Sequence, residues 1–500
     1  MRATLVHDIL DRRARRSPHA VAVRKGDIAW TYCELRQLTL AYAAWLARQG
    51  VTRGDRILAV GSHAAAAVPA VYAASRLGAM YVVVSDQLRP YILDHIVADS
   101  EPRIVLVDGD PDRNVAKGLG HVPVHSFAEI PAATTARPPG GTPCLSVDPV
   151  SLIYTSGSTA MPKAVVSTHQ QVLFAAHAIQ SQLQYQHDDV VFCCLPLSFD
   201  YGLYQVFLAA MAGAELVLGD ASDAGPPLLW CLRKHSVTVL PVVPSMAAAL
   251  VMLLARAGPP PERLRMVTNT GAALPDQVAG RLEALVPGVA VFRMFGLTEC
   301  KRVSILQPHE NAVRPGSVGR ALPGTEVFIV GDRGQRLPPG EVGELVVRGQ
   351  HVMSGYWRAP DLTSARFRRD DLGGVALYTG DLCRLDTEGY LYFAGRRDEL
   401  YKQRGFRISA VEVEAAAMDI PGVELAAVLP PAGDRGAILV AGGEITVAEL
   451  HEQLAQRLEN VRLPSGYHVL TALPLQPGGK VDKKALASIL ASPLTECVAR

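Results

Sequence analysis

VTVLPVVPSMAAALVMLLARAGPPPERLRMVTNTG, running from Val237 to Gly271, decides the architecture. VTVLPVVP is a short run of β-branched and apolar residues and reads as a buried strand. SMAAALVMLLAR (245–256) reads as a helix with Ser245 as its N-cap, and LRMVTNTG as a second strand. The same kinds of segment recur along the first part of the chain: RILAVG, YVVVS, RIVLVD, VSLIYT, DVVFCCLPL, AELVLG and AVFRMFG, each bounded by polar or Gly/Pro punctuation. Alternation of this kind predicts an α/β body with a mainly parallel sheet, in which loops at the strand ends carry the site.

Downstream the texture changes. From about residue 314 short strands alternate with turns, as in TEVFIVGDRGQRLPPGEVGELVVRG, where GDRG and PPGE are turn signals. After GRRDE (395–399) comes a compact tail: VEVEAAAMDI as a helix, ELAAVLP and GAILVAG as a hairpin, a helix over 447–458 and a last helix after Val481. The expected organisation is a large N-terminal core, 1–396, of mainly parallel α/β subdomains plus a small β subdomain at about 314–396. A small α+β C-terminal domain, 397–500, follows. PAATTARPPGGTP (131–143) reads as a surface excursion.

Composition narrows the function. Half of the 500 residues are apolar, enough for a large core, and 49 basic residues nearly cancel 48 acidic ones. No block of Lys/Arg points to nucleic acid or an anionic membrane, so small substrates are expected. Eight cysteines are scattered without a C-x-x-C pair, which argues for reduced core thiols rather than a disulfide framework or a zinc site. The longest apolar tract, 64–75, contains Pro69 and falls short of the roughly 20 residues a membrane span needs. Leu5 and Ile9, four apart, predict an amphipathic helix on the body instead of a leader peptide. A soluble cytoplasmic chain is expected.

Four segments carry chemistry. YTSGSTAMPKAVVSTH (154–169) ends a strand in a loop of hydroxyls and glycine, whose N–H and O–H groups suit phosphate oxygens, and adds the point charge of Lys163. It lacks the spacing of a P-loop. MFGLTEC (294–300) puts Phe295, able to stack on a base, close to Thr298 and to Glu299, a carboxylate suited to Mg²⁺ beside phosphates. YTGDLCRLDTEGYLYFAGRRDE (378–399) offers Asp381 as an acceptor for ribose hydroxyls and Arg396 as a donor, and LPLQPGGKVDKKAL (473–486) places Lys480 after two glycines. Each is weak alone; their conjunction in this order is specific.

With WTYCEL (30–35), GDRI (54–57), GELVVRG (343–349) and KQRGFRIS (402–409), these segments make the chain resemble, nearly end to end, the adenylate-forming superfamily of acyl-CoA synthetases and peptide-synthetase adenylation domains. The resemblance implies that ATP and a carboxylic acid give an acyl-adenylate and pyrophosphate, after which a thiol attacks. It implies that Thr155, Ser156, Gly157, Ser158, Thr159 and Lys163 hold the phosphates, that Thr298 contacts phosphate, and that Glu299 holds Mg²⁺. Asn269, Thr270, Gly271, Ala272, Phe295 and Gly296 would line the adenine side. Asp381 and Arg396 would bind ribose, and Lys480 would bridge the acid and the α-phosphate. Asp398 would be the hinge about which a mobile C-terminal domain swings. The acceptor is expected in trans: the phosphopantetheine of a separate carrier protein, or coenzyme A. A small-acid CoA ligase and an enzyme using a non-thiol nucleophile are the alternatives.

For the acid, the resemblance places Asp200, Tyr201, Tyr204, Thr268, Thr270, Met294, Arg302 and Val303 at the pocket. In amino-acid activators an Asp at the position of Asp200 binds the substrate ammonium; alternatively Asp200 caps a helix beginning at Tyr201. Lys301 and Arg302 replace the small or apolar residues usual there. They answer either a second carboxylate of the substrate or Asp200 itself. An amino acid or other small polar acid is the first expectation. Ala160 and Ala164 stand where glycine is usual, Ser409 replaces a common Glu or Pro, and 78–90 lacks the family's Pro-Leu-Asp-Pro run.

Overall fold

The computed structural model describes residues 3–61, 63–88, 90–109, 122–132, 144–155, 161–256, 259–369, 374–396, 400–403, 406–432, 435–458, 460, 462–476 and 479–491. The strand–helix–strand unit at 237–271 forms as expected. Val239–Val242 runs parallel to Met266–Asn269, with Val239 opposite Met266 and Val242 opposite Asn269. Pro244–Arg256 is the helix between them. It begins one residue before the expected cap, because proline suits the first helical turn, where its missing N–H is not needed. Ser245 is therefore not the N-cap. Its hydroxyl instead donates to the Gly479 carbonyl at 3.4 Å, in the C-terminal part of the chain.

Two sheets form the body. In the first, Val124–Ser126, Ile104–Val107, Arg56–Val60, Met80–Val84 and Pro149–Thr155 are parallel, and Lys163–Thr168 closes the edge antiparallel. The second has fourteen strands. Its parallel half contains Val21–Lys25, Glu215–Leu218, Val190–Cys193, Val239–Val242, Met266–Asn269 and Ala290–Phe295. From Ala290–Phe295 the ladder continues antiparallel through Ser304–Leu306 and Ser317–Ala321 into the turn-rich strands between 325 and 396.

Helices Ala67–Leu77 and Asp200–Ala212 are buried almost all round and belong to one core cluster with residues of both sheets. Their composition explains this: a helix apolar on every side has no face to give to water. The N-terminal helix Val6–Arg16 lies against the same core by Val6, Ile9, Leu10 and Ala14. Its first N–H donates to His169 Nδ1 at 3.1 Å.

The last hundred residues carry a three-stranded sheet, Val423–Leu429, Ile438–Gly443 and Gly466–Leu470, and the hairpin Leu400–Gln403 with Phe406–Ser409. Helices Ala410–Met418, Val447–Ala455 and Lys483–Ala491 accompany them. A separate cluster of buried residues, from Tyr401 to Leu463, forms a core here. One bond from the body to this part is Gln277 Nε2 donating to the Asp419 carbonyl at 2.8 Å. Among the described residues no helix is long and apolar enough to cross a membrane.

Candidate active site

The neighbouring parallel strands Met266–Asn269 and Ala290–Phe295 end together, and the chain turns sharply after each. After Asn269 comes Gly271 at φ +90°, where a side chain would be strained and would sit 3.5 Å from the Phe199 ring. After Phe295 the chain folds back on itself. Cys300 N–H donates to the Leu297 carbonyl at 3.0 Å and Val303 N–H to the Phe295 carbonyl at 2.8 Å. A Cβ on Gly296 would lie 2.0 Å from the Lys301 carbonyl oxygen, so only glycine closes this turn. Lys301 itself sits at φ +62°, a left-handed conformation that costs a non-glycine residue about 1–2 kcal/mol.

That strained lysine is also fully buried, and its Nζ has no hydrogen-bond partner among the described residues. It lies 5.7 Å from the centroid of the Tyr204 ring, whose hydroxyl is likewise without a partner among them. Burial pushes the ammonium pKa down; Asp200 and then Glu299 oppose the shift. Arg302, also buried, donates from Nη1 to Thr270 Oγ1 at 3.1 Å and lies over the Tyr201 ring, while its Nε is unpartnered among the described residues. Tyr201 donates to Thr268, with its hydroxyl 2.7 Å from both the carbonyl and Oγ1. Asp200 is the first residue of its helix, with Phe199 at the cap, and it is buried. The helix-capping reading of Asp200 therefore fails. So does direct neutralisation: no ion pair within 4.0 Å joins Asp200 to Lys301 or Arg302 among the described residues. Met294 is buried beside this group on its strand, whereas Val303 packs into the β-rich core with Val165 and Leu345.

The segment expected to hold phosphate is flanked by the strand pair Pro149–Thr155 and Lys163–Thr168. Thr155 Oγ1 donates to the Lys163 carbonyl at 3.4 Å. Ser156, Gly157, Ser158, Thr159 and Ala160 lie outside the described residues, as does Asp398; Ala164 is buried in its strand. Glu299 is buried, and Tyr356 donates to its Oε1 at 2.5 Å while Arg366 Nη1 stands 3.6 Å from the same oxygen. Lys163 Nζ lies 4.3 Å from the Tyr356 ring centroid. Thr298 is half-buried next to Glu299.

Asp381 faces Arg396 across the antiparallel pair, Oδ1 to Nε at 3.3 Å. Burial lifts its carboxyl to about 6, against the pull of Arg396, Arg366 and Lys480. The charge of Lys480 thus acts on this acid from the C-terminal part of the chain. Its turn is closed by Gln476 N–H donating to the Lys480 carbonyl at 2.7 Å. Phe295 and Phe393 face each other at 5.5 Å between centroids.

Contacts link Tyr201 to Thr268, Arg302 to Thr270 and to the Tyr201 ring, and Lys301 to the Tyr204 ring, and the charge of Asp200 acts on Lys301. The structure brings Lys163, Glu299, Asp381, Arg396 and Lys480 to one neighbouring face. Sequence reasoning missed Tyr356, Arg366 and the tether from Ser245. A tyrosine and an arginine between turn residues carry no spacing signal; only contact with Glu299 gives them a role.

A family model described as AMP-binding enzyme matches residues 10–357. Feruloyl-CoA synthase of Amycolatopsis sp. is 31% identical over 494 residues, 94% of this chain and 96% of the relative. A linear gramicidin synthase of Brevibacillus parabrevis is 29% identical over 96% of this chain, which spans only 6% of that protein's length. Among solved structures, VinN in complex with L-aspartate is 38% identical, with a TM-score of 0.70 over 78% of this chain and 98% of that one. O-succinylbenzoate coenzyme A synthetase of Bacillus subtilis, in complex with ATP and magnesium ion, is 29% identical, with a TM-score of 0.82 over 96% and 99%.

Proposed function

The chain belongs to the AMP-binding enzyme family and is an adenylate-forming, AMP-forming ligase; on that premise we propose that it activates an amino dicarboxylic acid of about aspartate's size. One observation carries the proposal: a buried acid, Asp200, acts on the buried Lys301 without an ion pair within 4.0 Å, and the next residue, Arg302, is a second buried cation. A buried charge without a counter-charge is costly, and a chain retains two of them where a ligand supplies the missing anion. Asp200 receives the substrate ammonium and Lys301 with Arg302 receives the second carboxylate, while Tyr201 and Tyr204 limit length. The solved relative bound to L-aspartate supports the same class.

The reactive carboxylate then meets ATP on the neighbouring face. Lys480 offsets charge where the carboxylate oxygen attacks the α-phosphorus and pyrophosphate leaves; such preorganised electrostatic stabilisation supplies a few kcal/mol. Asp381 and Arg396 hold the ribose, Phe295 and the 269–272 turn the base, and Thr155, Lys163 and Thr298 the phosphates. Glu299 would hold Mg²⁺, which supplies charge neutralisation to the leaving pyrophosphate. Such a cation would be held by Glu299 together with phosphate oxygens and water. The adenylate passes to the pantetheine thiol of a separate carrier protein. Loading assayed against coenzyme A as the competing acceptor tests that step.

ATP–pyrophosphate exchange over a panel tests the acid. L-Aspartate and its methylated or one-carbon-longer analogues are expected to lead, with alanine, β-alanine and succinate far behind. Equal turnover of monocarboxylic amino acids would remove the role of Lys301 and Arg302; equal turnover of succinate would remove that of Asp200.

A further inference from the structure

Tyr356 is assigned no part in either half-reaction, yet it touches both the expected metal carboxylate and the phosphate-loop lysine. Its hydroxyl donates to Glu299 Oε1 at 2.5 Å, and its ring face carries Lys163 Nζ at 4.3 Å. Arg366 adds a second contact to Oε1, a cationic one at 3.6 Å, and its charge also acts on Asp381. Both contacts fall on Oε1, which leaves Oε2 for another partner.

The backbone holds this arrangement. Trp357 N–H donates to the Ala164 carbonyl and Val166 N–H to the Gly355 carbonyl, both at 2.9 Å, so the segment runs along the strand that follows the phosphate loop. Met353 N–H donates to the Glu299 carbonyl at 2.9 Å, and Tyr356 N–H donates to Thr363 Oγ1, also at 2.9 Å. The ring is buried and packs edge-on against Phe367 at 5.5 Å.

We propose that Tyr356, backed by Arg366, is a positioning residue that holds Glu299 by Oε1, presents Oε2 to a divalent cation arriving with the nucleotide, and fixes Lys163 at a set distance from it. The reading rests on the chain being an adenylate-forming ligase and is independent of which acid it takes. A carboxylate tied at one oxygen is oriented for its metal by the tie, and loss of such outer partners commonly weakens metal binding 10–100-fold.

Tyr356→Phe removes the hydrogen bond and keeps the ring under Lys163; Tyr356→Leu removes both. The probe is Mn²⁺ with a non-hydrolysable ATP analogue and no acid, with free Mn²⁺ counted by its electron paramagnetic resonance signal. Binding of the analogue alone is measured in EDTA. Tyr356→Phe is expected to weaken Mn²⁺ binding by roughly tenfold and to leave analogue binding in EDTA unchanged. Tyr356→Leu is expected to weaken both, and Arg366→Gln to weaken Mn²⁺ binding to a smaller extent than Tyr356→Phe. Wild-type Mn²⁺ affinity in Tyr356→Phe would overturn the proposal. So would an equal loss with and without metal, which marks a structural role only. Because no acid is present, neither result depends on the amino dicarboxylate reading.

Discussion

Lys301 combines a left-handed backbone, full burial and an ammonium without a hydrogen-bond partner among the described residues. Each is unfavourable to folding, and such strain gathers where it serves a ligand. Lys301→Met is therefore expected to raise the melting temperature while lowering exchange with a dicarboxylic substrate by about a hundredfold or more, the scale of a lost buried charge contact. Thermal melts and exchange assays on one preparation check both signs. Asp381 gives a pH prediction. Its carboxyl sits at about 6 because it is buried, against an ordinary 3.8, so between those values the folded chain binds more protons than the unfolded one. Stability from this group is full below about pH 4 and declines as pH rises through 6, by about 3 kcal/mol in all. Nucleotide binding is expected to run the other way, since in the proposed ribose-binding role an ionised carboxylate accepts more strongly than a protonated one. Asp381→Asn should thus melt higher than the parent at pH 7.5 and no higher at pH 4. The parent's affinity for ATP should fall below pH 6.

Two turns do most of the positioning at the level of elements. In the turn after Ala290–Phe295, Gly296→Ala puts a methyl against the Lys301 carbonyl, a backbone atom that cannot yield without moving Lys301 and Arg302. The expected outcome is loss of exchange together with destabilisation of about 1–3 kcal/mol, read by denaturant titration. In the turn before Lys480, Gly479 has φ +75° and a Cβ there would lie 2.4 Å from Val243 Cγ2. Gly479→Ala should lift this turn off the strand end and mimic Lys480→Ala. Both are expected to abolish pyrophosphate exchange yet still transfer a chemically supplied acyl-adenylate to thiol. Survival of exchange in Lys480→Ala would remove its assigned role. The strands are legible in the sequence because their apolar runs are local and long, as in VTVLPVVP and LRMVTNTG. Ser245 reads as a cap in the sequence but is none, because the helix already begins at Pro244 and puts Ser245 inside the first turn, and the hydroxyl is used across the molecule instead.

In the whole molecule, the C-terminal part has its own core and meets the body through bonds that include Ser245 to Gly479 and Gln277 to Asp419. The charge of Lys480, in the C-terminal part, acts on Asp381 in the body. The sequence alone determined the α/β alternation, the order of the phosphate, adenine, ribose and lysine segments, and the presence of two cations after Glu299. Those signals are local: hydrophobic period, turn residues and spacing act within a dozen residues. Only the tertiary structure decided that Lys301 and Arg302 leave Asp200 unpaired, that Asp200 caps no helix, and that Tyr356 and Arg366 grip Glu299. Those are matters of ångströms and of exclusion from water between residues 57 to about 100 positions apart, and charge interactions take their strength from both.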